Sequence, residues 1–157
     1  MKNNNHTKGV LLVVEDNKAD QKLLKEAFLS LGIANDIIIA NSGEEALKYL
    51  KGDDIVPVLI LCDVNMPGMD GLELRKKILK DEELRKKSIP FVFMSSDESE
   101  ETIELAFEYA VQGYFKKAND FNSAVKLLSL IIEYWKTSKL PNAKFDLLKE
   151  SKKKQKA

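Results

Sequence analysis

One cysteine, Cys62, and one histidine, His6, are all that the 157 residues contain of either type. That scarcity removes whole classes of chemistry. A disulfide framework needs cysteines in pairs, and a cysteine-rich metal site needs several of them. With His6 near the chain start and no second imidazole, a Ser-His-Asp arrangement has no base in place. Long apolar runs are missing as well. None approaches the roughly 20 residues that cross a bilayer, and the opening Met1-Lys2-Asn3-Asn4-Asn5-His6 lacks the apolar segment of a signal peptide. A cytosolic protein with no membrane partner is expected. Net charge is absent too, because 25 Lys and Arg balance 25 Asp and Glu. The balance is uneven along the chain: from Lys136 to Ala157 there are 8 Lys against Asp146 and Glu150, so the first 135 residues hold 17 basic and 23 acidic side chains. An acidic body does not favour sequence-independent binding to nucleic acid. The Lys-rich end over 136–157 reads either as a contact for an acidic partner or as a solvated tail.

What is present is a chain of one-domain length, 44% hydrophobic and 32% charged, able to bury a single core. Residues 1–8 read as a disordered start. Val10-Leu11-Leu12-Val13-Val14 is an apolar, β-branched run and so a buried strand. Leu23, Leu24, Ala27, Phe28 and Leu31 recur at helical spacing and Gly32 stops the helix. Ile37-Ile38-Ile39-Ala40 is a second strand. Ser42 and Glu45 have capping-box spacing ahead of a helix striped by Ala46, Leu47 and Leu50. Val58 to Leu61 run through Cys62 into Asp63, a third strand followed at once by Pro67-Gly68 and Asp70-Gly71 turn signals. Leu72, Leu74 and Ile78 predict the next helix, and the charged stretch from Leu79 to Ser88 reads as a surface connection. Pro90 to Ser96 is a fourth strand, Glu98 to Tyr109 a helix with an acidic outer face, and Gly113 to Lys117 a short fifth strand. The last clear helix runs from about Asp120 to Trp135, and Phe145, Leu147 and Leu148 predict one further turn beyond it. Five strands alternating with five helices predict a parallel sheet covered on both faces.

In such a sheet Glu15-Asp16, Asp63, Ser95 and Lys117 all fall at the carboxyl edge, where open α/β sheets bind ligands. Taken alone, each has a plain alternative. Asp63 fits a turn cap, one of Ser95 and Ser96 fits a helix cap, Lys117 beside Lys116 fits a charged loop, and Tyr114 fits a core aromatic with its hydroxyl outward. Cys62 reads as a small buried hydrophobe. Together the strand-end residues are more specific. Two unit charges about 4 Å apart interact by about 4 kcal/mol at an effective dielectric near 20. Clustered carboxylates must therefore raise a pKa, pair with a cation or hold a metal. A hard ion such as Mg²⁺ takes carboxylates, waters and a phosphate oxygen. Lys117 adds a point cation for phosphate, Ser95 adds a hydroxyl, and Asp63 becomes a carboxylate able to accept a phosphoryl group.

Over about Gly9 to Trp135 this set resembles the receiver domain of bacterial two-component response regulators. The resemblance implies a flavodoxin-like (βα)5 fold, a doubly wound parallel sheet of strand order 2-1-3-4-5. It implies Asp63 as phosphoacceptor, Asp16 as a direct Mg²⁺ ligand, Glu15 acting mainly through water, and the Asn65 backbone carbonyl as a further ligand. Ser95 and Tyr114 match the switch residues and Lys117 the family lysine, while Asn65 and Asp97 resemble the polar pair that tunes autodephosphorylation. A histidine kinase, including the phytochrome type, is the implied phosphodonor. A stand-alone regulator is implied, signalling by protein–protein contact or phosphorelay, with a homodimer through the face of the fourth helix, fifth strand and fifth helix. About 22 residues after Trp135 are too few for an output domain. One departure is Ala118, where the family usually has a proline after a cis bond; a cis bond before a non-proline residue costs about 2.5–4 kcal/mol.

Three rival readings are weaker. A phosphatase of the haloacid dehalogenase class needs a second Asp two positions after the nucleophile, and Asn65 stands there. A flavodoxin-like FMN carrier needs a Gly/Ser/Thr-rich phosphate loop where this chain has Glu15-Asp16. A degenerate receiver kept as a scaffold does not need an intact acceptor, acidic pair and lysine. The chain is not expected to be a conventional enzyme.

Overall fold

The computed structural model describes residues 8–141. The expectations for residues 1–7, and for Phe145, Leu147, Leu148 and the rest of the Lys-rich end, lie outside these residues. In chain order the elements are β1 (Lys8–Val14), α1 (Lys18–Ser30), β2 (Ile37–Ala40), α2 (Gly43–Lys51), β3 (Val56–Cys62), α3 (Gly71–Lys80), α4 (Glu82–Lys86), β4 (Phe91–Ser95), α5 (Glu100–Glu108), β5 (Gly113–Lys116) and α6 (Phe121–Thr137). All strand pairs are parallel and the order across the sheet is β2-β1-β3-β4-β5. The flavodoxin-like doubly wound fold is what forms.

Strand alternation builds two cores from one sheet. Leu11 and Val13 of β1, Leu59 and Leu61 of β3, and Val92 and Met94 of β4 face α1 and α6, where they meet Leu24, Phe28, Leu128 and Ile132. Leu12 and Val14, Ile60 and Cys62, and Phe91 and Phe93 face the other way, toward Ala46, Leu50, Leu74, Ile78 and Ala106. Both faces are covered, which is why the three central strands read as unbroken apolar runs. Pro57 sits opposite Val10 of β1 where the register shifts on both sides, and pairing with β4 begins only at Ile60 opposite Phe91, the kind of irregular place a strand proline takes.

Two features depart from the sequence reading. The stretch from Leu79 to Ser88 is not a plain connection, since α3 continues to Lys80 and α4 follows. Asp81 ends the first helix and caps the second, its Oδ1 accepting the Leu84 N–H at 3.1 Å. Leu84 is the one apolar residue of α4 and is buried under it; a single buried residue makes no periodicity to read. The expected fourth and fifth helices are therefore α5 and α6. The second feature is Arg75, which looks like surface charge on α3 but is only 6% exposed. Its Nε and Nη2 donate to the carbonyls of Tyr109 and Ala110, each at 2.8 Å, and its guanidinium lies 5.3 Å from the Phe91 ring centroid. It thus takes up carbonyls left open at the end of α5, where Ala110 turns into the left-handed region at φ 56°. Burial lowers its pKa.

If α4 belongs to the packed fold, Leu84→Ala should cost about 2–3 kcal/mol in denaturant unfolding. The exposed neighbour change Glu83→Ala should stay within about 0.5 kcal/mol.

Candidate functional site

The end of each central strand supplies one piece of the site. β1 stops at Val14, level with Cys62 of β3, so Glu15 and Asp63 emerge side by side and the Asp63 N–H donates to the Val14 carbonyl at 2.9 Å. Asn17 then caps α1, its Oδ1 accepting the Asp20 N–H at 3.0 Å. Gln21, buried on the first turns of α1, donates to the Glu15 carbonyl at 2.6 Å and to Asn41 Oδ1 at 2.8 Å. That amide pins the acidic turn to the loop after β2. At the other side, Ser95 lines up with Lys116, and the Lys117 N–H donates to the Ser95 carbonyl at 3.0 Å. The described residues contain no cis peptide, so the chain passes Ala118 in trans.

The carboxylate oxygens of Glu15, Asp16 and Asp63 approach to within 4.8 Å of one another. All three are hard oxygen donors, Glu15 and Asp63 buried and Asp16 partly so, and this donor set suits Mg²⁺ or a similar divalent ion. Lys117 answers the same negative charge. Its ammonium lies 2.5 Å from Glu15 Oε1, 2.7 Å from Asp20 Oδ2 and 3.3 Å from Asp63 Oδ2. Glu15 is 2% exposed, and burial pushes its carboxyl up to about 7, with the Lys117 ammonium pulling the other way. Burial works against the Lys117 charge, yet its contacts with Asp20 and Glu15 outweigh this and raise its pKa above the ordinary lysine value. Cys62 packs in the core, where burial raises its thiol pKa; its Sγ donates to the Asp63 carbonyl at 3.0 Å.

Ser95 is fully buried and its Oγ accepts the Asp97 N–H at 3.1 Å. Tyr114 is half-buried beside Phe93, with ring centroids 5.9 Å apart, and its hydroxyl donates to the Asp97 carbonyl. Burial raises the Tyr114 pKa. The hydroxyl thus points into the β4–α5 loop rather than outward. The Asp97 carboxylate accepts the Ser99 N–H at 2.9 Å and the Thr102 hydroxyl at 2.9 Å. These bonds, the Ser99 N–H foremost and the Asn65 side chain among them, hold its pKa low. Asn65 and Asp97, separated by 32 positions, are thereby neighbours. Neither Ser95 nor Ser96 caps α5; Ser99 does.

The turn after Asp63 is held from two sides. The Gly71 N–H donates to the Val64 carbonyl at 2.8 Å, and a Cβ on Gly71 would run into the Asp63 carbonyl and sit 2.7 Å from the Phe93 ring. Gly68, at φ 73°, lets the loop lean on α2, where Glu44 Oε1 accepts the Met69 N–H at 2.9 Å. Sequence reasoning missed Asp20, Gln21, Asn41 and Glu44. For Asp20 a signal existed, since it stands three residues after the cap Asn17, the place where an acid reaches back to the cap N–H. The other three are polar residues whose partners lie on different elements.

With this fold and edge chemistry in place, comparison with known proteins gives the class. The sequence pattern of the response regulator receiver domain matches residues 11–129, and the chain belongs to that family. It is 32% identical over 130 residues to the probable methanogenesis regulatory protein FilR2 of Methanothrix harundinacea, covering 80% of this chain and 83% of that one. Response regulator Rcp1 of Synechocystis sp. is 31% identical over 140 residues, with 85% and 94% covered. The Mn²⁺-bound crystal structure of Rcp1 superposes with a TM-score of 0.74 over 85% of this chain and 99% of that one. The phosphorylated cyanobacterial phytochrome response regulator RcpA is 32% identical, with a TM-score of 0.76 over 87% of this chain and 99% of its own. Receiver domains are modules of two-component, phosphorylation-dependent signalling rather than conventional enzymes. Among the described residues no helix is long and apolar enough to cross a membrane.

Because the loop after Asp63 passes so close to α3, Gly71→Ala should cost about 1–3 kcal/mol in denaturant unfolding through forced backbone movement. Gly52→Ala, where the nearest atom to a new Cβ is 3.4 Å away, should stay within about 0.5 kcal/mol.

Proposed function

We propose that this protein is a phosphorylatable response regulator that takes a phosphoryl group from a histidine kinase onto Asp63. The supporting observation is the meeting of Asp63 with Lys117, 3.3 Å apart, and with the carboxylates of Glu15 and Asp16 at one sheet edge. An Asp63 carboxylate oxygen attacks the phosphorus of a phosphohistidine in line. The O–P bond forms as the P–N bond breaks, and the imidazole nitrogen leaves with the electron pair. Lys117 offsets charge on the phosphoryl oxygens as a point cation. Asp16, Asp63 and the Asn65 backbone carbonyl would hold Mg²⁺, with Glu15 acting through water. When bound, the ion neutralises negative charge on the transferring group. The Mn²⁺ in Rcp1 and the oxygen-only donor set here support a divalent ion at this place.

Ser95 turns its hydroxyl toward the phosphoryl group, and Tyr114 moves with it, biasing the surface formed by α5, β5 and α6. Phe107, a large exposed aromatic on α5, suits contact with a partner or a second copy there. The phosphodonor is a kinase of the phytochrome type, by analogy with RcpA. Output is by protein–protein contact or phosphorelay in the cytosol, from a receiver unit over residues 9–135 with a Lys-rich tail after it. Asn65 and Asp97 flank the acceptor and set how fast water removes the phosphoryl group.

Intact mass after incubation with acetyl phosphate and Mg²⁺ tests the reading. The wild type should gain one phosphoryl group only when Mg²⁺ is present, and Asp63→Asn should gain none. An unmodified wild type, under conditions that phosphorylate a control receiver, would overturn it. Replacing both Asn65 and Asp97 with leucine should slow decay of the phosphorylated form by about tenfold, or about 1.4 kcal/mol in barrier. A decay rate equal to that of the wild type would remove the pair from this role.

A further inference from the structure

The Lys117 ammonium has three N–H donors and three carboxylates around it, and they are not held equally. Glu15 Oε1 at 2.5 Å and Asp20 Oδ2 at 2.7 Å are close charge-assisted contacts, whereas Asp63 Oδ2 at 3.3 Å is loose. The lysine is therefore drawn away from the acceptor. Glu15 cannot readily let go, because it is buried and belongs to the acid cluster. Asp20 can, since its side chain is 31% exposed and water can replace the lysine.

Local structure gives Asp20 another use that it does not take. As the third residue after the cap Asn17, it stands where an acid reaches back to the cap N–H. That N–H instead faces Glu15 Oε2 at 3.4 Å, and the Asp20 carboxylate turns across the sheet edge to Lys117. Asp20 keeps only its backbone N–H in the cap, donating to Asn17 Oδ1 at 3.0 Å.

We propose that Asp20 is a positioning residue that parks Lys117 in the unphosphorylated protein and competes with the phosphoryl group for it. The inference rests on the functional reading above and assigns a regulator of the same site. When Asp63 carries a phosphoryl group, the negative charge there grows and the lysine swings toward it, giving up Asp20 to water. The carboxylate of Asp20 thus lowers the stability of the phosphorylated state and keeps the resting state from resembling it. Removing that charge leaves the ammonium free for the phosphoryl oxygens.

The test is beryllofluoride, a non-covalent phosphoryl mimic, titrated with Mg²⁺ present and read by ¹⁹F NMR on the full chain. Asp20→Asn should bind it about two- to fivefold more tightly than wild type, the range expected for a partly exposed ion pair, and Asp20→Glu should return toward the wild-type affinity. A merely structural role would loosen binding, not tighten it. Equal or weaker binding by Asp20→Asn, with the wild type binding normally, overturns the parking role and leaves the receiver reading intact. A wild type that binds no beryllofluoride where a control receiver does overturns the receiver reading itself, and the parking role with it.

Discussion

A single ammonium group ties together four elements of this molecule. Lys117 leaves the end of β5, crosses over β4, and meets carboxylates that end β1 and β3 and one that begins α1. Remove that charge and Glu15, Asp20 and Asp63 face one another at low local dielectric with nothing to offset their repulsion. Burying such a cluster is costly, and an apolar plug of the same volume would stabilise the sheet edge better. The arrangement makes sense as a poised site, in which a second cation or a new anion can redistribute the contacts.

The rest of the fold holds that edge in place. Two cores grip the sheet from both sides, so the strand ends are fixed relative to one another. Gln21 fastens the acidic turn to the loop after β2, Gly71 lets α3 start against the Asp63 carbonyl, and Glu44 braces the intervening loop. Arg75 does the same service farther away, spanning from α3 to the carbonyls that end α5. None of these residues carries the chemistry, but each removes a freedom that would blur it.

From Ser95 at the end of β4 a continuous run of hydrogen bonds leads to α5. Ser95 Oγ takes the Asp97 N–H, the Asp97 carboxylate takes the Ser99 N–H and the Thr102 hydroxyl, and Tyr114 donates to the Asp97 carbonyl. A shift of Ser95 toward a new anion would reach the α5 cap Ser99 through Asp97. Under the proposed function this run would serve as a local, charge-driven switch, in which a small movement at one group re-biases a nearby helix. Asp97 also neighbours Asn65, two residues past Asp63.

The order of strands and helices, the two-faced burial of β1, β3 and β4, and the alignment of Glu15, Asp16, Asp63, Ser95 and Lys117 at one edge were legible in the chain. They depend on short-range pattern, because apolar runs, turn signals and period-two alternation set which end of a strand a residue occupies. The short helix α4 was not legible, since one buried leucine between charges carries no period. Arg75 and Gln21 were not legible either, for their meaning lies in carbonyls supplied by other elements. Asp20 shows the limit most plainly. Its place after Asn17 marks it as a helix-cap acid, and only the crossing of Lys117 over β4 decides that its charge goes to the lysine. Sequence by itself thus determined which groups stand at the site, while tertiary structure decided how one cation is shared among them, because that sharing depends on distances between residues far apart in the chain.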